Sequence, residues 1–140
     1  MIVLVDKFSK KKRSYIMSRI RGKGTKIEKQ VMKALRKKGI KFKSHYRIGP
    51  GTTSIDIAFP DKKIAVFIDG DFWHGYNWLR LRKNLPKFWR AKLKRNIVRD
   101  KKVTARLKEE GWQVFRFWEH SLKKNMSRCI DMLWEKNLSF

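Results

Sequence analysis

The sequence holds a single cysteine, Cys129, among 140 residues. That excludes an intrachain disulfide and any cysteine-built zinc cluster. No apolar run approaches the roughly 20 residues that a membrane-spanning helix requires. The apolar start, Met1-Ile2-Val3-Leu4-Val5, is shorter than a signal-peptide core, and no basic segment precedes it. There is no internal repeat and no inter-domain linker, and the length suits about one domain. Above all, the chain is short of acid. Twelve Asp and Glu stand against 37 Lys and Arg, a formal net charge of +25. Self-repulsion on that scale is tolerated where a polyanion is the partner, so nucleic acid is the expected ligand and a soluble intracellular protein the expected setting.

The shortage is local as well as global. Lys7–Lys26 carries nine Lys and Arg and no acid, and Arg80–Lys108 carries thirteen and one acid, Asp100. A solvated helix relieves such repulsion with acids at i,i+4. Their absence points to phosphate contacts, and Arg19, Arg21, Lys92, Arg95 and Arg99 are the expected basic contacts. Tyr15, Ile16, Met17 and Ile20 interrupt the first basic run and suit an arm that docks apolar side chains. Residues 1–24 are read as that arm and 25–140 as one domain.

What is present follows in order. Thr25-Lys26-Ile27-Glu28 is a capping box. Ile27, Val31, Ala34 and Leu35 continue at helical spacing and Gly39 stops the helix. Alternation from Ile40 to Ile48 predicts a first strand, and apolar runs predict strands over 55–59 and 63–69 about the Pro60-Asp61-Lys62 turn. Residues 70–85 read as irregular. Pro86 suits a helix start, and 86–110 is the longest helical candidate, with Trp89, Leu93, Ile97, Thr104 and Leu107 on one face. A strand over 112–118 and a helix over 125–137 follow. A long helix between two strands suits a parallel crossover. The expected fold is α/β, a mixed sheet flanked by helices in the order α-β-β-β-α-β-α.

The few acids fall where packing does not need them. Asp69 ends a buried strand and leads into Gly70-Asp71-Phe72-Trp73-His74, and Asp56 lies inside the strand before it. An antiparallel pair would bring both carboxylates to one end. Hard carboxylate oxygens suit Mg²⁺, which in such a place serves phosphodiester hydrolysis. His74 suits a general acid or base, and Asp100, on the inner stripe of its helix, suits a residue that holds His74 in one tautomer. Phe72 and Trp73 point to opposite sides of an extended segment, so both cannot easily be core.

The chain resembles the very short patch repair (Vsr) mismatch endonucleases, a branch of the restriction-endonuclease-like fold. The resemblance rests on Arg13-Ser14-x-x-Met17-Ser18-x-Ile20, Thr25-x-Ile27-Glu28-Lys29, Asp56, Val66-Phe67-Ile68-x-Gly70-x-Phe72-Trp73-His74, Phe88-Trp89, Asn96-x-x-Arg99-Asp100, and Leu107-x-x-x-Gly111-Trp112-x-Val114 with Trp118-Glu119. It implies a nickase acting on one strand of duplex DNA beside a T:G mismatch with Mg²⁺, or Mn²⁺ in its place. Asp56 becomes the metal ligand, with Asp69 and the Ile68 carbonyl beside it, His74 the acid or base, Asp100 its partner and Glu28 a supporting catalytic residue. Phe72, Trp73 and Trp89 become the wedge in the base stack, and Met17 and Ile20 part of a clamp. The resemblance also implies a monomer on the nucleoid in the cytoplasm, and a functional link to a DNA methyltransferase or mismatch-repair proteins. The family's structural zinc is expected to be absent, because Asp71, Tyr76, Trp78 and His120 stand at its ligand positions. A restriction-type or structure-specific nuclease with the same core, or a DNA-binding protein without catalysis, are the alternatives that the residues leave open.

Overall fold

In the computed structural model, the described residues are 25–49, 53–71, 74–76 and 78–135. The capping box forms as the sequence requires. Thr25 Oγ1 accepts from the Glu28 amide at 3.3 Å, and Glu28 Oε2 accepts from the Thr25 amide at 2.9 Å. Helix α1 (Lys26–Lys37) buries Ile27, Glu28, Val31, Met32 and Leu35. It stops at Gly39, whose φ of +74° is a left-handed conformation open to a residue without Cβ.

Strand β1 spans Lys43–Tyr46, shorter than the alternation from Ile40 to Ile48 suggests. Ile40 is buried in the turn ahead of it, Ile48 is exposed, and His45 within the strand has φ +49°. A left-handed residue cannot continue a regular pleat, which limits the strand. β2 (Ile55–Phe59) and β3 (Ile64–Asp69) match the expected strands, joined by a 3₁₀ turn at Pro60–Lys62. They pair antiparallel, as do β1 and β2.

After β3 comes a short helix, α2 (Trp78–Leu81), inside the segment read as irregular. Pro86 stands immediately before the long helix α3 (Lys87–Glu109). This helix carries the chain back so that β4 (Gln113–Trp118) runs parallel to β3. The sheet order is β1-β2-β3-β4. The C-terminal segment forms two helices, where the periodicity predicts one. α4 (Glu119–Lys124) and α5 (Met126–Leu133) are divided at Asn125, whose extended φ of −154° breaks the helix. Its side chain then caps α5 by accepting from the Arg128 amide at 3.1 Å.

Two apolar layers hold the sheet. Ile57, Phe59, Ile64, Val66 and Ile68 pack with residues of α1, α4 and α5 on one face. Ile55, Ala58, Ala65 and Phe67 pack with Leu107 of α3 and Trp112 on the other. The result is the mixed, helix-flanked sheet expected of the restriction-endonuclease-like class. Ile55 and Ile57 fall in different layers, although two residues apart should share a face. Alternation fails between them, at Asp56. Among the described residues no helix is long and apolar enough to cross a membrane.

Candidate active site

The site begins where the sheet comes apart. The β2–β3 ladder runs from Phe59↔Ile64 to Ile57↔Val66 and stops. Beyond it a side chain replaces backbone pairing: Asp56 Oδ2 accepts from the Ile68 amide at 2.8 Å. β3 stays paired with β4 as far as Asp69↔Trp118. Asp56 and Asp69 thus stand at one end of two strands that have parted, and helices from both layers reach the gap.

From one layer comes Glu28. It is 2% exposed, and while Oε2 caps the helix, Oε1 is buried without a hydrogen-bond partner. From β1 comes His45, whose Nδ1 is also buried and unpartnered. Glu28, His45 and Asp56 each offer one ligating atom, and those atoms all lie within 4.8 Å of one another. Burial pushes the Asp56 carboxyl up to about 7, against the Ile68 hydrogen bond and helped by the charges of Glu28 and Asp69. Two unsatisfied buried atoms beside a carboxylate that resists ionising form a costly arrangement. A divalent cation would satisfy both atoms and favour the carboxylate, so these residues fit such an ion.

From the other layer comes Asp100 of α3, whose Oδ2 lies 2.5 Å from His74 Nδ1. An ionised carboxylate can only accept, so Nδ1 carries the proton and Nε2 is left to exchange one. Burial disfavours the charged imidazole, but the Asp100 hydrogen bond with the Asp69 and Asp100 charges outweighs it, and the His74 pKa is raised above its ordinary 6.5. His74 is set by its own loop as well, its amide bonding to the Gly70 carbonyl at 3.1 Å. Gly75 next to it has φ +74°, and a Cβ there would collide with the Ile97 side chain. Ile97 lies one turn before Asp100, so this close approach seats the histidine loop on α3.

Asp69, expected beside Asp56 at the metal, has close partners of its own. It is 5% exposed, and one nitrogen of Arg116 of β4 donates to both its oxygens, Nη1 lying 2.9 Å from Oδ1 and 3.2 Å from Oδ2. Its carboxyl is raised by burial, with Arg116 and His74 opposing the shift. Arg116 also donates to Thr104 Oγ1 at 2.8 Å and the Asp100 carbonyl at 3.3 Å, and lies over the Phe67 ring at 4.1 Å. Asp69 comes within 3.6 Å of His74 Nδ1 but does not join the Glu28–His45–Asp56 group. Asp69 thus stands between Arg116 and His74, and Ile68 donates its amide to Asp56. Arg116 and His45 escaped sequence reasoning. The signal for Arg116 was a lone base among aromatics in a strand, a charge that has to find a buried partner.

Trp89, expected in the wedge, is deeply buried. It is 1% exposed, so its ring is enclosed. It sits on the inner stripe with Leu93, edge-on to the half-exposed Phe88 at 5.5 Å. Lys92, Arg95 and Arg99 lie along α3, with Arg95 and Arg99 exposed. Met17, Arg19, Ile20, Arg21, Phe72 and Trp73 lie outside the described residues. At the corner where zinc was expected to be lost, His120 Nδ1 pairs with Asp71 Oδ1 at 2.8 Å, and the Tyr76 ring packs on His120 and Trp118. One engaged imidazole and no thiolate form a donor set that does not suit zinc.

Comparison with known proteins extends these observations. Residues 5–80 match the family model described as DNA mismatch endonuclease Vsr. A type II nicking enzyme of Neisseria meningitidis serogroup C is 38% identical over 130 residues, covering 91% of this chain and 86% of that protein. A type II nicking enzyme of Haemophilus parainfluenzae is 38% identical over 125 residues, 86% and 87% of the two chains. The DNA mismatch endonuclease Vsr of Escherichia coli K12 is 30% identical over 135 residues, 95% and 85% of the two.

Proposed function

Since the chain belongs to the Vsr family and is a DNA endonuclease, we propose that it nicks one strand of duplex DNA beside a T:G mismatch, acting as a monomer with Mg²⁺. The observation that carries this reading is the meeting, at one end of the sheet, of a cation-ready group (Glu28, His45, Asp56) and a histidine locked by a carboxylate (His74, Asp100). Nicking is supported by the relatives named as nicking enzymes.

A divalent cation beside Asp56 would supply charge compensation at the phosphoryl group and activation of water. The chain's own work is then proton transfer and positioning. His74 keeps its Nδ1 proton on Asp100, so Nε2 takes a proton from the attacking water or gives one to the leaving oxygen. Asp69, held by Arg116, favours the imidazolium through its charge. Arg95, Arg99 and Lys92 on α3, with Arg19 and Arg21 of the arm, draw the backbone in. Met17 and Ile20 clamp the duplex.

Mismatch selectivity is assigned to Phe72 and Trp73. A wedge between base steps must offset a few kcal/mol of unstacking, and a mismatched step opens at less cost. Both residues adjoin His74, so opening is coupled to cutting by one or two residues. End-labelled duplexes, matched or carrying each mismatch, are incubated with Mg²⁺ and cuts mapped on both strands, with Trp73→Ala alongside. Preferential nicking of one strand of the T:G duplex is expected. Equal rates on matched DNA would point to a restriction-type enzyme, and unchanged selectivity in Trp73→Ala would remove the wedge. Elemental analysis of the purified chain should find no stoichiometric zinc.

A further inference from the structure

We propose that His45 is a nitrogen ligand of the divalent cation and that it turns the site toward Mn²⁺ over Mg²⁺. The inference deepens the metal-dependent reading above and rests on it. Three side-chain atoms among the described residues are buried without a hydrogen-bond partner, and two of them are Glu28 Oε1 and His45 Nδ1. Both residues belong to the group whose ligating atoms lie within 4.8 Å of each other, with Asp56 the third. A buried imidazole that merely filled space would pair its ring nitrogen with a neighbour.

The backbone gives independent support. β1 pairs with β2 through Ser44↔Ile57 and Tyr46↔Ile55, which sets His45 across from Asp56. The ladder omits that one pair, and His45 there has φ +49°. Left-handed backbone in a non-glycine residue is strained and persists where something over-determines it. Directly opposite, the in-and-out alternation of β2 fails at Asp56. Both strands are thus irregular at one facing pair, and the irregularity brings an imidazole and a carboxylate into the Glu28 group. Regular pleating would have served the sheet better.

Chemistry then sets the preference. Mg²⁺ takes oxygen ligands and loses its waters reluctantly. Imidazole is a ligand for first-row transition ions, and Mn²⁺ is the one among them that shares the octahedral, oxygen-rich preference of Mg²⁺, so one nitrogen in a carboxylate site favours Mn²⁺ over Mg²⁺.

The test uses Mn²⁺ itself on the full chain. Binding is followed by the electron paramagnetic resonance signal of free Mn²⁺, Mg²⁺ affinity by competition, and nitrogen ligation by electron spin-echo modulation from ¹⁴N. Wild type should bind one Mn²⁺ per chain, dependent on Asp56, with ¹⁴N modulation. His45→Gln should lose that modulation and weaken Mn²⁺ by about tenfold or more, the least expected when a metal site loses such a partner, while Mg²⁺ changes far less. His74→Gln should retain the modulation. Asp56-dependent Mn²⁺ binding without ¹⁴N modulation in wild type, or with modulation abolished by His74→Gln and kept in His45→Gln, would overturn the assignment and leave the metal-dependent reading intact. Absence of Asp56-dependent Mn²⁺ binding in wild type would overturn both. Should His45→Gln fail to fold, the spectra of wild type and His74→Gln decide the question, since modulation absent from the first or lost in the second would overturn the assignment.

Discussion

Asp56→Asn is expected to inactivate the enzyme and to stabilise the metal-free fold. The Asp56 carboxyl is held near 7 in the folded protein, against 3.8 for an unperturbed aspartate. Between those values the unfolded chain has released its proton and the native chain has kept it. Stability of the wild type therefore falls as pH rises through this window, by about 1.4 kcal/mol per pH unit for one group. Across roughly three units the cost of holding Asp56 reaches the order of 4 kcal/mol, and above pH 7 it levels off. Asparagine removes the titration and keeps an oxygen to accept from the Ile68 amide, now at 2.8 Å from the carboxylate. Its NH₂ can donate to Glu28 Oε1 or to a ring nitrogen of His45, atoms that lack partners. Urea unfolding of both proteins from pH 4 to 9 in EDTA is the assay, read as the difference between them so that other groups cancel. The difference should be small near pH 4, grow in favour of Asp56→Asn up to about pH 7, and then stay flat. Saturating divalent cation should close the gap by stabilising the wild type alone. A pH-independent difference, or a variant less stable than wild type at pH 8, would refute the reasoning.

Further outcomes follow from the same geometry. Arg116→Met strips the counter-charge from a buried Asp69 and should cost about 3–5 kcal/mol in chemical unfolding, with much of it recovered by adding Asp69→Asn. Gly75→Ala forces a left-handed φ on a residue with a Cβ and drives that carbon into Ile97, so kcat should fall sharply while duplex affinity in a binding titration stays near wild type. Trp89→Ala should lower stability by about 3–5 kcal/mol and slow cleavage of T:G and matched duplex alike, as expected of a core residue. DNA affinity should fall steeply with salt, the slope of log K against log salt being about −0.9 per phosphate contacted; a slope near zero would remove the basic surface of α3 and the arm from the interface.

Much of this protein was legible one residue at a time. The capping box, the two central strands, the α3 stripe and the parallel crossover follow from short-range spacing, because a helix or strand repeats within a few residues. The excess of base is a sum over the chain and needs no structure. The quoted motifs were enough to indicate the family, and they place Asp56, His74 and Asp100 in the order that the fold then brings together. Asp100 was readable because three and four residues on a helix share a face, which pointed it inward with Ile97 and Thr104.

Tertiary structure decided the rest. Arg116 lies 47 residues from Asp69, and only the parallel register of β4 against β3 makes them neighbours. That pairing gives Asp69 a guanidinium partner that its position beside His74 did not reveal. Trp89 satisfied two descriptions at once, an aromatic in the family's motif and a residue on the inner stripe, and only packing showed how deeply it is buried. His45 had no sequence signal, since its role depends on a backbone angle in β1 and on the strand facing it. The parting of β2 from β3, which frees the Asp56 carboxylate from a regular ladder, is likewise a property of the assembled sheet. Spacing along a chain records which residues share a helix or strand face, but which buried charges neutralise one another is settled only when distant strands take their register.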